Sequence, residues 1–155
     1  MRGKRAPKRD IHVDPKYGRM DIAKLVNYIM SDGKKSTARS VVYDALEIIK
    51  EKTKKDPIAI FEKAIDNVGP SLEVRGKRVG GANYQIPYPV RTERKFTLAC
   101  RWIIESAEKK KGRPMSQRLA DEIMAAEQEQ GDAFKKKLDT HKMAEANRAF
   151  AHFAR

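Results

Sequence analysis

Cysteine is nearly absent from this sequence of 155 residues, which has a single one at Cys100. One cysteine cannot form an internal disulfide, so we expect a reducing, cytoplasmic location. The chain must then fold on its hydrophobic core. That core can be large enough, because a chain of about 150 residues buries about two-thirds of its unfolded surface and usually forms one domain. The basic first ten residues precede no apolar stretch, and we therefore expect no secretory signal.

Long apolar runs and catalytic motifs are also missing. No run approaches the roughly 18 apolar residues of a spanning helix, so we expect no membrane partner. His12, His141 and His152 are far apart and no second cysteine accompanies them, which argues against a zinc site. The stretch Gly33–Ser36 lacks the spacing of a phosphate-binding loop, and Cys100 lies in an apolar helical stripe, as a buried hydrophobe would. We therefore expect no enzyme, no metal and no cofactor.

Positive charge, by contrast, is abundant and unevenly distributed. Lys and Arg number 34 against 21 Asp and Glu, which gives a net charge of +13. Residues 1–19 carry +5, residues 75–95 carry +5 and residues 108–118 carry +4. Residues 119–131 carry −4 and are expected to form a face toward solvent or protein. Clustered cations of this kind are what neutralising a tract of phosphates requires, so the sequence predicts a polyanionic partner.

Apolar residues recur at helical spacing in six segments, which makes the chain mainly α. The first segment begins at Ile22 and should end before Gly33. The capping residues expected for the second to sixth helices are Ser36, Asp56, Thr92, Ser116 and Asp132.

Between the third and fourth helices the apolar period changes to two, with LEVRGKRV and YQIPYPV flanking a predicted turn at Gly80–Asn83. Two prolines in the second strand cannot donate to a central ladder, so the hairpin should be an edge or a free ribbon. Its base should pack against the helices, and its basic tip should either be ordered by a ligand or stay mobile. The fold class is therefore mainly α: a single domain of six helices at residues 20–155, with a protruding basic β-hairpin at about 72–90. A basic N-terminal extension at residues 1–19 precedes it.

Aromatic residues of the hairpin and the C-terminus need partners. Tyr84 and Tyr88 are able to stack on unpaired nucleotides, although packing at the base of the ribbon is the expected role of Tyr88. The sixth helix carries two apolar faces. One face holds Phe134 and Leu138, and the other is formed by Met143, Ala146, Phe150 and Phe153. The last turns should therefore pack against something other than the core.

On residues alone, three classes of protein compete. An RNA-binding protein fits the basic tracts, and a nucleoid-type DNA-binding protein also uses a basic β-ribbon. A small RNA-processing enzyme could carry the same charge, but this chain shows no acid, base or metal constellation. The DNA-binding protein would be expected to have a self-complementary dimer surface.

Longer motifs then match a known family. They are DPKYG at Asp14, IMSDGKKS at Ile29, EVRGKRVGGANYQIP at Glu73, and KKKLDTHKMAEANRAFAHF at Lys135. Shorter matches are Val90-Arg91, Arg101-Trp102 and Arg118-Leu119-Ala120. Across essentially the whole chain the sequence resembles bacterial-type small-subunit ribosomal protein seven, which has six helices and a hairpin between the third and fourth.

This resemblance implies a structural protein that binds the 3′ major domain of 16S rRNA and initiates assembly of the head of the small subunit. The implied rRNA-binding residues are Arg2, Lys4, Arg5, Lys8, Arg9, Lys34, Lys35, Arg75, Lys77, Arg78, Arg91, Arg94, Lys95, Arg113, Met115 and Arg118. The residues implied to lie near the exit-site tRNA are Arg78, Gly80, Gly81, Asn83, Tyr84 and Arg148. Further implied partners are neighbouring head and platform proteins, which would cover Phe150 and Phe153, and the chain's own mRNA, which some members repress.

Overall fold

A computed structural model describes residues 3, 6 and 10–154 of the chain. The elements follow in the order α1 (Met20–Ile29), α2 (Lys35–Thr53), α3 (Pro57–Val68), β1 (Leu72–Val79), β2 (Ala82–Pro89), α4 (Thr92–Lys109), α5 (Met115–Glu127), α6 (Gly131–Ala146) and a C-terminal 3-10 helix (Arg148–Ala154). The prediction of six helices with a hairpin between the third and fourth is confirmed.

Of the five predicted caps, the structure contains one. Asp56 precedes the proline that opens α3, and its carboxylate accepts the N–H of Ile58 at 3.1 Å. The other four are wrong. Thr92 is itself the first residue of α4, while Ser36, Ser116 and Asp132 each lie one residue inside their helices. A small polar residue is compatible with either position, because the first turn has unpaired N–H groups throughout.

The core is built around α5, which packs against α2, α3, α4 and α6. Leu119 and Ile123 of α5, Phe61 of α3 and Leu46 of α2 are buried almost completely. Burial of each such side chain contributes about 2 kcal/mol. Cys100 also lies in this core, where burial raises the pKa of its thiol to about 12. The prediction that it is a small buried hydrophobe is confirmed.

The acidic tract at 119–131 is predicted to form a face toward solvent or protein, and this prediction is wrong for Glu122. Glu122 is completely buried, and its carboxylate pairs with the ammonium of Lys110 at 2.5 Å. Asp121 pairs with Lys52 at 2.8 Å on the surface of α2. Four acidic residues in one tract suggested a uniform face, whereas α5 buries Glu122, directs Asp121 and Glu127 toward surface lysines and ends before Glu129, which is exposed.

The hairpin has a tighter turn than predicted. Val79 pairs with Ala82, so the turn consists of Gly80 and Gly81 only, and Ala82 and Asn83 already belong to β2. Both glycines have positive φ, 57° and 90°, as a two-residue type I′ turn requires. Paired glycines supply this conformation without steric cost, which explains the short connection.

The base of the hairpin is fixed to the helices, as predicted. Ile86 of β2 is completely buried, and α6 packs against both strands. Ser71 donates its N–H to Nε2 of His141 on α6 at 3.2 Å and accepts the N–H of Val90 at 2.9 Å. Burial, and then the charge of Lys137, lower the pKa of His141, which favours the neutral imidazole that this bond needs.

The sixth helix differs from its prediction on one face and agrees on the other. Leu138 is 43% exposed, and the buried residues of α6 are Ala133 and Ala144. On the second face Phe150 and Phe153 pack away from the core, as predicted, whereas Met143 and Ala146 are exposed. The partner is this chain's own hairpin: the ring centroids of Phe150 and Phe153 lie 5.0 and 5.4 Å from that of Tyr84. These contacts cover both phenylalanines without a neighbouring molecule.

The end of the predicted N-terminal extension lies against α2. Asp14 is 2% exposed, and its carboxylate accepts the N–H groups of Lys16 and Tyr17 at 3.0 and 3.1 Å. The same carboxylate accepts the hydroxyl of Tyr43 on α2 at 2.7 Å. These bonds fix the turn at Asp14 against α2.

Candidate nucleic-acid interface

Three arginines surround one buried carboxylate where the hairpin meets α4. Glu73 is 8% exposed and accepts the Nη2 of Arg75 with one oxygen and the Nε of Arg94, at 3.2 Å, with the other. The guanidinium of Arg75 lies over the ring of Tyr88, with its carbon 5.5 Å from the centroid. Arg91 lines the same open cleft. The cleft keeps a net positive charge, because Arg91 lines it in addition to the two arginines that bond to Glu73.

The tip of the hairpin holds four of the residues expected near tRNA. Arg78 pairs across the strands with Asn83, and both are exposed beside the turn at Gly80-Gly81. Nearer the base, Lys77 donates to the carbonyl oxygen of Phe153 at 2.9 Å, so one predicted rRNA contact also fastens the C-terminal 3-10 helix.

The two remaining tRNA-proximal residues lie where the C-terminal 3-10 helix covers β2. The ring of Tyr84 contacts Phe150 and Phe153, so these two rings occupy part of the surface that Tyr84 would offer to a nucleotide. Arg148 begins the 3-10 helix and has a side chain that is 79% exposed. It pairs with Glu145 at 3.3 Å. An exposed pair of this kind is worth little and is easily exchanged for a phosphate.

The cations at the helix N-termini are on the surface. Lys34 and Lys35 are exposed at the start of α2, and Arg91 caps α4. Lys95, one turn further along α4, pairs with Asp66 of α3 at 3.2 Å. Lys34, Lys35 and Arg91 make no ion pair with a carboxylate in the described part of the chain, which leaves their charge for an external anion.

The first turn of α5 has a structural role that the sequence did not reveal, and two residues predicted in the loop before this helix, Met115 and Arg118, lie within it. Arg118 donates through Nη1 to the carbonyl oxygens of Ala107 at 3.2 Å and Glu108 at 3.1 Å, and also to that of Lys110. It therefore satisfies carbonyls that the end of α4 leaves without partners. Met115 packs against the core. Contact of these two residues with rRNA stays a prediction.

Arg113, the third residue predicted in this loop, is mainly exposed. It pairs with Asp121 at 3.3 Å, and 66% of its side chain is accessible to solvent. Because its own side chain is mainly exposed, Arg113 can exchange Asp121 for an external phosphate. The predicted rRNA contacts Arg2, Lys4, Arg5, Lys8 and Arg9 lie outside the described residues.

Sequence reasoning missed Glu73 and the place of Tyr88 at this interface. The signal was present in the alternation of β1, because Glu73 and Arg75 are two residues apart and share one face of the strand. The register then sets Tyr88 directly opposite Glu73. The alternation does not predict that Arg94 bonds to Glu73, because this contact depends on the direction in which α4 continues after β2.

Other kinds of site find little support. Among residues 3, 6 and 10–154, no group of three or more His, Cys, Asp or Glu side chains could hold a metal ion. None of the helices in that part of the chain is long and apolar enough to cross a membrane. The basic hairpin, the cleft at its base and the lysines at the start of α2 are the surface features that bring the predicted cations together.

Comparison with known proteins identifies the family. A family model described as "Ribosomal protein S7p/S5e" matches residues 1–148. Two relatives named small ribosomal subunit protein uS7, from Thermotoga neapolitana and Thermotoga maritima, are each 58% identical over 153 residues, which is 99% of both chains. A relative of the same name from Maricaulis maris is 55% identical over 149 residues, 96% of each chain. The fold, the basic hairpin and these matches together show that the chain belongs to the ribosomal protein S7 family.

Proposed function

We propose that this protein is a structural constituent of the small ribosomal subunit, where it binds the 3′ major domain of 16S rRNA and initiates assembly of the head. The observation that carries the proposal is the match to uS7 relatives over nearly the whole chain. It is a non-enzymatic role, and it places the protein on the ribosome in the cytoplasm, next to other head and platform proteins.

The charge distribution supports binding to a folded RNA. Cations at the hairpin, at the start of α4 and at the α1–α2 turn belong to separate elements, and phosphates on different RNA strands could engage them. If the protein contacts roughly six to ten phosphates, its affinity for RNA should fall about 10³-fold to 10⁵-fold when the salt concentration rises from 50 to 200 mM. The basic residues at 1–19 would add contacts as an extension from the helical body.

The tip of the hairpin supports a second part of the proposal, proximity to the exit-site tRNA. Arg78 and Asn83 are exposed there, and Gly80-Gly81 carry no side chains that would keep an RNA backbone away. We also propose that the protein binds its own mRNA through the same surfaces, provided that the mRNA presents phosphates in a similar arrangement.

The test is binding of the purified full-length protein to a fragment of the 3′ major rRNA domain and to duplex DNA of equal length, at physiological salt. The proposal expects the rRNA fragment to bind at least about a hundredfold more tightly. Equal affinities would refute it and would favour the alternative function, a nucleoid-type DNA-binding protein that uses its basic β-ribbon.

A further inference from the structure

The carboxylate of Glu73 is an unusual group to find at a surface that binds a polyanion. It is 8% exposed, and burial of an unpaired carboxylate would be costly. Two guanidiniums compensate that cost, since Arg75 and Arg94 each bond to a different oxygen. Because the carboxylate removes positive charge from the cleft, its contribution to RNA binding must come from the geometry that it imposes.

That geometry concerns Arg75 above all. Its side chain is 60% exposed, and an exposed arginine normally samples many rotamers. Here it is held at two points, by the carboxylate of Glu73 and by the ring of Tyr88, whose centroid is 5.5 Å from the guanidinium carbon. The ring of Tyr88 therefore lies on one side of the guanidinium, and the exposed side of this group is available to a ligand.

Arg94 is held in a complementary way. It bonds to Glu73 through Nε, and its two Nη groups have no partner among the described residues. Its side chain is 43% exposed, and Arg91 lines the same cleft. Two terminal nitrogens in a fixed fork are the donors that bind a phosphate in a bidentate manner.

From these contacts we infer that the cleft at the base of the hairpin binds one unpaired nucleotide of RNA. The base stacks on the free face of the Arg75 guanidinium, and Arg94 and Arg91 bind the adjacent phosphate. Glu73 is a positioning residue that holds both arginines. Unpaired bases stack on arginine planes in many RNA complexes, whereas a fully paired duplex offers no such base. The inference rests on the proposed function, because it assumes an RNA ligand.

The inference predicts opposite effects on two ligands. Glu73→Gln raises the net charge by one, so attraction to any polyanion should increase. The same change releases Arg75 and Arg94, so binding of an unpaired nucleotide should decrease. Arg75→Lys keeps the charge but removes the planar group. Glu47→Gln is the matched control: it also removes one negative charge, at an exposed α2 residue that pairs with Lys16.

The experiment measures the affinity of the full-length variants for the 3′ major-domain fragment and for a fully paired RNA duplex of equal length. Circular dichroism first establishes that each variant is folded. We expect Glu73→Gln and Arg75→Lys to weaken binding of the fragment about fivefold or more, while duplex binding is unchanged or stronger. Glu47→Gln should change both affinities by the same factor.

The outcomes separate the two proposals. If Glu73→Gln shifts both affinities as Glu47→Gln does, or if Arg75→Lys binds the fragment like the wild type, the nucleotide site is refuted while the proposed function stands. If the wild type itself binds fragment and duplex equally, the proposed function fails, and the inference fails with it.

Discussion

Glu122 offers a sharp test of how this fold is held together. Its carboxylate is completely buried, pairs with the ammonium of Lys110 at 2.5 Å and accepts the N–H of Ala133 at 2.9 Å. Gly131 lies directly against this carboxylate, since a Cβ added at Gly131 would be only 2.9 Å from Oε1 of Glu122. One side chain thus joins three segments: the end of α4, the middle of α5 and the start of α6.

The expected cost of Glu122→Ala follows from these contacts. The Ala133 N–H loses a charged acceptor in a buried position, which costs about 1.5–3 kcal/mol. Removal of one partner from a fully buried ion pair costs about 3–5 kcal/mol. Lys110 is 38% exposed and can be rehydrated, so the loss of its ion pair with Glu122 should cost less than that. We expect a total of about 3 kcal/mol. For a chain of this size that corresponds to a decrease in melting temperature of about 6–12 °C.

The assay is thermal and urea unfolding followed by circular dichroism, with Glu127→Ala as the control on the same helix. Glu127 pairs with Lys63, whose side chain is 60% exposed, and loss of such a surface pair should cost less than about 1 kcal/mol. Glu122→Gln should lie between the two, because its amide oxygen can still accept the N–H. If the free energies of unfolding of Glu122→Ala and Glu127→Ala agree within error, the structural role assigned to Glu122 is wrong.

Three further predictions concern the hairpin and α4. Because the pKa of His141 is lowered in the folded protein, the unfolded chain binds a proton at this residue more readily when the pH falls below about 6.5. The free energy of unfolding should therefore decrease below that pH. His141→Gln, which cannot titrate, should show a smaller decrease. Phe150→Ala should speed hydrogen exchange in β2 and expose Tyr84 while the helical signal stays constant, and unchanged exchange would contradict the ring contacts. Arg118→Ala should destabilise the free protein by about 2 kcal/mol in urea, because carbonyls at the end of α4 lose their donor; a loss of RNA affinity without destabilisation would count against this.

Much of the fold could be predicted from local signals. Apolar spacing places six helices, since each has to bury one stripe, and the change of period at Leu72 marks the hairpin. Asp56-Pro57 predicts the start of α3 correctly, because proline fixes the first helical position and leaves little freedom for the cap. At α2 and α5 the observed cap positions are Lys34 and Pro114, so the predicted caps Ser36 and Ser116 are each displaced by two residues.

Long-range pairs could not be predicted in this way. Glu122 lies in the apolar stripe of α5, three residues after Leu119, and this spacing indicates that its carboxylate is buried. Its partner Lys110 depends on how the loop returns from α4, which no local pattern encodes. For the candidate site, the cations were visible in the composition, but the acid that orients two of them, Glu73, was not.

The ring contacts between Tyr84 and Phe150 also determine the order in which the molecule can be completed. Tyr84 lies near the middle of the chain and Phe150 close to its end, and domains emerge N-terminal end first at ~5–20 residues per second. For several seconds of synthesis, the strands of the hairpin therefore exist without the segment that covers β2. A chain shortened after α6 keeps the helix that fixes the base of the hairpin but lacks the phenylalanines that contact Tyr84, so it presents an aromatic side that the finished protein partly covers.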